Sequence, residues 1–243
     1  MKIINLSSSQ RCAVAEEILT AKELKNNSVR RIILLPVPSF RDGEHISGTD
    51  ITADALIERT EGGDLVVGYR LPARVYSAVL ARGAFALDLE RDGEFIHKNN
   101  ELTAHAVLPY ILNSGERDIA DLHIGIIGYG RLGAMLARLV LFLGARITVF
   151  SGTPEKREAL SREGISALGY DAIANTRVDI LINTAPGRLT ESIPEGVPLV
   201  DLASGNYYAS LGSRFLPALP EKHYPKSAGK AYAKAVIDYY NLH

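Results

Sequence analysis

The chain holds 243 residues, 47% of them hydrophobic, with 27 Lys and Arg against 28 Asp and Glu for a net charge of −1. That composition supports a sizeable core in one large or two small domains and gives no electrostatic argument for nucleic acid or an anionic membrane as partner. A single cysteine, Cys12, excludes an internal disulfide and fits a reducing cytoplasm; no run approaches the ~20 apolar residues of a membrane span, and MKIINLSSSQR has too short an apolar run for a signal peptide.

In chain order, Lys2–Leu6 reads as a short strand and Arg11–Leu24 as a helix whose Ser-rich approach suits an N-cap. Cys12 falls in its apolar pattern as core filler. Arg31–Val37 is a buried-strand run stopped by prolines, and residues 41–50 read as a loop. Ile51–Arg59 follows as a short helix capped by Thr49 or Asp50. Asp64–Tyr69 is a strand, Ala73–Arg82 a helix and Phe85–Leu89 a strand. Leu102–Asn113 is a helix that Pro109 should kink, and it bridges into a second unit. There Leu122–Gly128, Arg146–Phe150, Ile165–Leu168, Val178–Asn183 and Pro198–Leu202 read as strands, with helices over 131–143, Pro154–Glu163 and Lys226–Tyr240.

This alternation predicts an α/β protein: two Rossmann/flavodoxin-like, doubly wound parallel-sheet domains joined by a bridging helix, with right-handed crossovers. The expected divisions are residues 1–100 as a substrate-side α/β domain, 101–225 as an NAD(P)-binding Rossmann domain, and 226–243 as a C-terminal helix. The apolar face of that helix, Ala231–Tyr240, is expected to pack back on the first domain or on a twin protomer. Functional residues should lie just past the strands, because ligands of such sheets sit at the strands' carboxyl ends.

The most informative stretch is LHIGIIGYGRLG, residues 122–133. A short apolar strand enters Gly128-x-Gly130-x-x-Gly133 and a helical pattern follows at once, the context in which this triplet signifies a dinucleotide site. Gly128 serves the tight turn, Gly130 the approach of backbone N–H groups to a pyrophosphate, and Gly133 close packing of helix on strand. Tyr129, Arg131 and Leu132 complete the loop, with the phosphates on the positive end of the helix.

NAD-binding units usually end their second strand in a carboxylate that takes the ribose 2′-hydroxyl. Here Ser151, Gly152 and Thr153 stand at that place, followed by Lys156 and Arg157. A hydroxyl, a free backbone N–H and a guanidinium suit a 2′-phosphate, so NADP is favoured over NAD. Lys156 and Arg157 also read as a solvated helix face. Asn183, Thr184, Ala185 and Pro186 end a later strand, and Ser204 follows another; both are expected to line the nicotinamide end.

At these residues the chain resembles the Rossmann-type subunit of dipicolinate synthase, within the D-2-hydroxyacid-dehydrogenase-like Rossmann group. The resembling segments are GYGRLGAMLAR (128–138), INTAPGRLT (182–190), VDLAS (200–204) and PALPEKHYPKSAGKAYA (217–233), together with Asn99 and Thr103-Ala104. The resemblance covers roughly residues 50–243. It implies a cytoplasmic NADP-dependent oxidoreductase that converts a cyclic dihydro- or tetrahydrodipicolinate, from a branch of the lysine pathway, to dipicolinate in spore formation. It also implies a flavoprotein-like second subunit, and homo-oligomerisation is expected for this architecture. The chain departs from the family at His105, where a glutamate is usual, and at Ala218 and Glu221, where glycines are usual.

Oxidation to an aromatic ring needs a hydride acceptor, a proton acceptor and cations for the substrate's carboxylates. His105 and His223 are candidate bases because imidazole titrates near neutral pH, and Lys226 enters through the resemblance. Arg131, Lys98, Lys222 and Lys226 are candidate carboxylate partners. A non-catalytic or regulatory nucleotide-binding protein is the alternative; a D-2-hydroxyacid dehydrogenase is disfavoured, since Gly205-Asn206-Tyr207-Tyr208 follows the DLAS strand end where that mechanism places an arginine. His45, His97, His105, His123, His223 and His243 are scattered without ligand spacing, so no metal site is expected.

Overall fold

Runs rich in Ile, Leu and Val such as Arg31–Leu34 and His123–Ile127 are buried almost throughout, as strands covered on both faces must be. In the computed structural model, which describes residues 1–22, 24, 28–113, 117–187, 193–203, 208 and 212–242, these runs form two all-parallel sheets. The elements are β1 (Lys2–Asn5), α1 (Gln10–Ala21), β2 (Arg31–Leu34), α2 (Ala53–Arg59), β3 (Asp64–Gly68), α3 (Ala73–Ala81), β4 (Phe85–Asp88) and α4 (Gly93–Leu112). Then come β5 (His123–Ile127), α5 (Arg131–Phe142), β6 (Arg146–Phe150), α6 (Pro154–Arg162), β7 (Ser166–Leu168), β8 (Ile180–Asn183), β9 (Leu199–Asp201), β10 (Arg214–Phe215), α7 (Leu219–His223) and α8 (Pro225–Leu242). Residues 1–102 with 220–243 form one unit, and residues 103–219 the other. No helix among the described residues is long and apolar enough to cross a membrane.

The first unit's sheet has the order β1-β2-β3-β4. Because side chains alternate along a strand, Ile32, Leu34, Leu65 and Val67 face one way and Ile33, Leu35 and Val66 the other. The first set packs with Cys12, Ala15 and Leu19 of α1 and with Tyr232 and Val236 of α8. The second packs with Leu56 of α2 and with Val75 and Val79 of α3. All three crossovers step in the same direction across the sheet, yet α1 lies on the face opposite α2 and α3. The first crossover is therefore opposite in hand to the other two, a departure from the uniform right-handedness the pattern predicts. Its physical counterweight is the α1–α8 contact. A Cβ at Gly229 would lie 2.5 Å from the Val14 Cβ and 2.9 Å from the Arg11 carbonyl, so the helix backbones meet closely there. The fully buried Tyr232 hydroxyl lies 3.0 Å from the carbonyls of Leu35 and Val67.

Local signals set several boundaries differently from the sequence expectation. Ser9 caps α1, its Oγ accepting from the Cys12 amide. The cap of α2 is Thr52, whose Oγ1 accepts from the Ala55 amide. Thr49 is spent on the preceding turn, where it bonds Ile46 and Ile51. The bridging helix α4 begins at Gly93, nine residues before the expected start, with the Asp92 carboxylate accepting from the Phe95 amide. It runs on past Pro109.

The second unit's sheet has the order β10-β9-β8-β5-β6-β7. Read from β7, the third strand of this unit, it is the 3-2-1-4-5-6 order of the dinucleotide-binding fold. The topological switch point lies between β5 and β8, which pair in parallel from Ile124 with Ile180 to Ile127 with Asn183. Asp179 pins the start of both strands: its carboxylate accepts from the His123 amide at 2.7 Å and from Arg117 at 2.5 Å.

Two outcomes follow from this packing. Gly229→Val should destabilise the first unit by about 1–3 kcal/mol through overpacking against α1, read from urea unfolding; an unchanged midpoint would contradict the close approach. His123, half-buried with its Nε2 2.9 Å from the Thr148 hydroxyl, has its pKa held below the ordinary imidazole value by burial and by the Arg146 charge. The unfolded chain therefore binds the proton more readily. This group's contribution is intact above the unfolded pKa near 6.5 and is lost as pH falls below it. His123→Gln should flatten the loss of stability between about pH 7 and pH 5 in unfolding titrations.

Candidate nucleotide-binding site

At the end of β5 the chain turns away through Gly128, whose φ is +91° and whose amide donates to the Phe150 carbonyl at 2.8 Å. A Cβ there would lie 2.9 Å from the Ala185 amide nitrogen. A Cβ on Gly133 would run into the Gly128 carbonyl oxygen and lie 2.8 Å from Thr184 Oγ1. These two glycines serve internal packing. Gly130 does not: a Cβ there would meet nothing within 4 Å. It caps α5 without any side-chain hydrogen bond, so the first-turn N–H groups of a 12-residue helix face outward over open space. That is the cradle a pyrophosphate requires. Arg131 is exposed at the first helical position, Tyr129 and Leu132 are half-buried, and no partner of the Arg131 side chain stands among the described residues.

The second wall comes from the end of β6. The Ser151 amide donates to the Leu168 carbonyl, its side chain is 3% exposed, and its Oγ accepts from the Thr153 amide at 3.3 Å. Arg157 reaches back from α6 to donate to the Ser151 carbonyl at 2.7 Å. Lys156 donates to the Tyr129 carbonyl at 3.2 Å, linking α6 to the glycine loop. Gly152 is exposed, and a Cβ on it would lie 3.1 Å from the Tyr170 ring. Ser151, Gly152, Thr153 and Arg157 thus converge beside the cradle, and no carboxylate occupies the position after β6.

The third wall is the turn after β8. The Asn183 side chain is fully buried: its amide nitrogen donates to the Ala185 carbonyl and to Asp201, and its oxygen accepts from the Ala185 amide. Asp201, also fully buried, accepts in addition from the Ala203 amide. This pair holds the β8 and β9 loops in fixed geometry, a role not apparent from the sequence alone. The Asn183 side chain is spent on that task and acts on a ligand only through the loop it shapes. Thr184 lies 3.0 Å and 3.2 Å from the carbonyls of Ile127 and Gly128, fastening this turn to the glycine loop. Ala185 is buried and Pro186 exposed. Ser204 lies outside the described residues, as do 188–190 of the INTAPGRLT segment.

The three candidate catalytic residues are distributed over both units. His105 lies half-buried on the part of α4 that belongs to the second unit. His223 ends α7 and Lys226 stands in the first turn of α8; both belong to the first unit and both are exposed. Among the suggested carboxylate partners, Lys98 is paired with Glu101 at 2.9 Å. Ala218, where the resembled family has glycine, keeps a left-handed backbone with φ of +59°, a conformation that costs a residue with a Cβ roughly 1–2 kcal/mol. Among the described residues no cluster of three or more His, Cys, Asp or Glu could hold a metal ion.

No family model matches the chain. Two solved structures of the Rossmann-type subunit of dipicolinate synthase, from Bacillus halodurans and Bacillus subtilis, superpose with a TM-score of 0.76 and 17% identity each. They cover 99% and 100% of this chain and 97% and 96% of their own. At that identity the likeness establishes the fold, the two-sheet architecture of nicotinamide-nucleotide dehydrogenases. A probable mannitol dehydrogenase from Mesembryanthemum crystallinum is 30% identical over 110 residues, which is 44% of this chain and 29% of that protein. The chain spans less than a third of the length of the curated relatives it matches.

The glycines separate binding from folding. Gly130→Val should leave thermal stability nearly unchanged and weaken dinucleotide binding about tenfold or more, by calorimetric titration. Gly133→Ala should instead lower stability, because its Cβ meets backbone. Undiminished affinity in Gly130→Val would contradict the cradle.

Proposed function

We propose that this chain is an NADP-dependent oxidoreductase of the dipicolinate synthase type, oxidising a cyclic dihydro- or tetrahydrodipicolinate to dipicolinate. The observation that carries the reading is the open cradle at Gly130, set at the switch point of a fold that matches the Rossmann-type subunit of dipicolinate synthase from end to end. When bound, the nicotinamide supplies the hydride acceptor. The protein's part is to hold and orient. The Gly128–Gly133 loop and the α5 N-terminus take the pyrophosphate. Ser151, the Thr153 region and the remaining guanidinium N–H groups of Arg157 take a 2′-phosphate, a charge-assisted contact that NAD cannot make. The Asn183–Asp201 pair and Thr184 keep the nicotinamide-side turns rigid, which limits loss of orientation at the reacting carbon.

The proton released on oxidation needs an acceptor. His105, His223 and Lys226 are the groups of suitable chemistry in the resembling segments, with imidazole the better matched to neutral pH. The reading includes a soluble cytoplasmic setting in spore formation, a homo-oligomer and a flavoprotein-like second subunit, with no nucleic acid or membrane partner.

The test uses purified protein, freshly generated dihydrodipicolinate and either cofactor, following cofactor reduction by absorbance. Turnover with NADP+ is expected, and Arg157→Gln should weaken NADP binding about tenfold while leaving NAD unchanged, the size of one charge-assisted hydrogen bond. Preference for NAD would contradict the assignment of the 2′-phosphate. Tight NADPH binding with no turnover would favour a regulatory nucleotide-binding protein.

A further inference from the structure

The first unit carries a second built site, at the carboxyl end of its own sheet. The segments leaving β1 and β2 enclose a cavity of about 650 Å³, walled by Ser7–Gln10 and Pro36–Pro38 and closed by Arg41, Ser47 and Glu221 with Lys222. Carboxyl-end crevices are where parallel sheets take ligands. The 12-residue helix α1 starts in this wall, with Ser9 as its cap.

The independent observation is Arg11, the residue after Gln10 in that wall. It is 2% exposed, and its Nε and Nη1 are buried with no hydrogen-bond partner. The Phe95 ring lies 5.9 Å from its guanidinium. An arginine cannot shed its proton in a protein, so this charge is held inside the fold without a fork of acceptors. Glu221 is the first of the charges that act on it, yet the two form no ion pair. The Glu221 Oε2, in the cavity wall, is likewise buried and without a partner, and so is the Ser47 Oγ. Unmet donors and an unmet acceptor thus stand around one space. The exposed cations Arg41 and Lys222 in the wall have no partner among the described residues.

We infer that this cavity binds a small dicarboxylate that also carries an N–H or O–H donor, one carboxylate on Arg11 and the α1 N-terminus, the other on Arg41 and Lys222, with the donor on Glu221. Three cations against one carboxylate match a dianion. The unpaired Glu221 oxygen selects a saturated or partly saturated ring bearing a proton over a flat ring without one. The choice of ring rests on the proposed oxidoreductase reading; the existence of the site does not.

The test is calorimetric titration of the intact chain, without nucleotide, with piperidine-2,6-dicarboxylate, pyridine-2,6-dicarboxylate and pyridine-2-carboxylate. Saturable binding is expected, with affinity falling in the order given. Arg11→Met should abolish it without lowering the melting temperature, since the variant removes a buried, uncompensated charge. Should Arg11→Met fail to fold, the exposed double variant Arg41→Gln with Lys222→Gln should erase the advantage of dicarboxylate over monocarboxylate. Glu221→Gln should erase the preference for the saturated ring. Unaltered binding in these variants, or no saturable binding by the wild type, overturns the site. Binding as expected with no cofactor-dependent turnover would count against the oxidoreductase reading alone.

Discussion

A Cβ at residue 128 would lie 2.9 Å from the Ala185 amide nitrogen, so the turn leaving β5 can press against the turn leaving β8 only as glycine. That close approach is the constraint on which the nucleotide site depends. It places the N-terminus of α5 at the switch point, where crossovers leave in opposite directions and open a crevice. Thr184 ties the same two turns through the carbonyls of Ile127 and Gly128. Asn183 and Asp201 then fix the next loop from inside the core. Because these bonds are buried and satisfied, the walls need little ordering when a ligand arrives, which keeps the cost of orientation low.

The two units use one architectural rule with different chemistry. In the second, the crevice is lined by backbone N–H groups and hydroxyls, which suit phosphate. In the first, a buried guanidinium and free surface cations sit at the carboxyl end of the sheet, which suits carboxylate. Arg11 is an expensive residue in that position: a desolvated charge without hydrogen bonds opposes folding. Its retention beside a cavity makes physical sense as binding energy held in reserve for an anion. Ala218 shows the same tension on a smaller scale, holding a backbone conformation that glycine would adopt freely.

Much of this was legible in the sequence, for identifiable reasons. The strands are near-continuous apolar runs, as in IGII at 124–127, and such runs announce a parallel sheet. The glycine loop was legible because strand, triplet and helix occur in the right order. What escaped has equally physical causes. The start of α4, GEFIHKNNE, mixes charge and apolar residues too evenly to show a face. β10 is two residues long and exists by pairing with β9. The opposite hand of the first crossover is a tertiary property, since no local pattern says which face of the sheet a helix covers. Arg11 is hidden for a related reason: in an amphipathic stretch, arginine reads as the solvent side. Asn183 read as a ligand contact because a short polar residue after a strand usually is one; only the Asp201 partner, 18 residues away, reveals that its side chain is already taken.

The functional reading turns on where the dinucleotide lies. Hydrogen–deuterium exchange with and without NADPH measures this directly, peptide by peptide. Slowed exchange over residues 128–134 and 151–157 is expected in the presence of nucleotide. Protection elsewhere, with those two segments exchanging at the same rate in both samples, would contradict it.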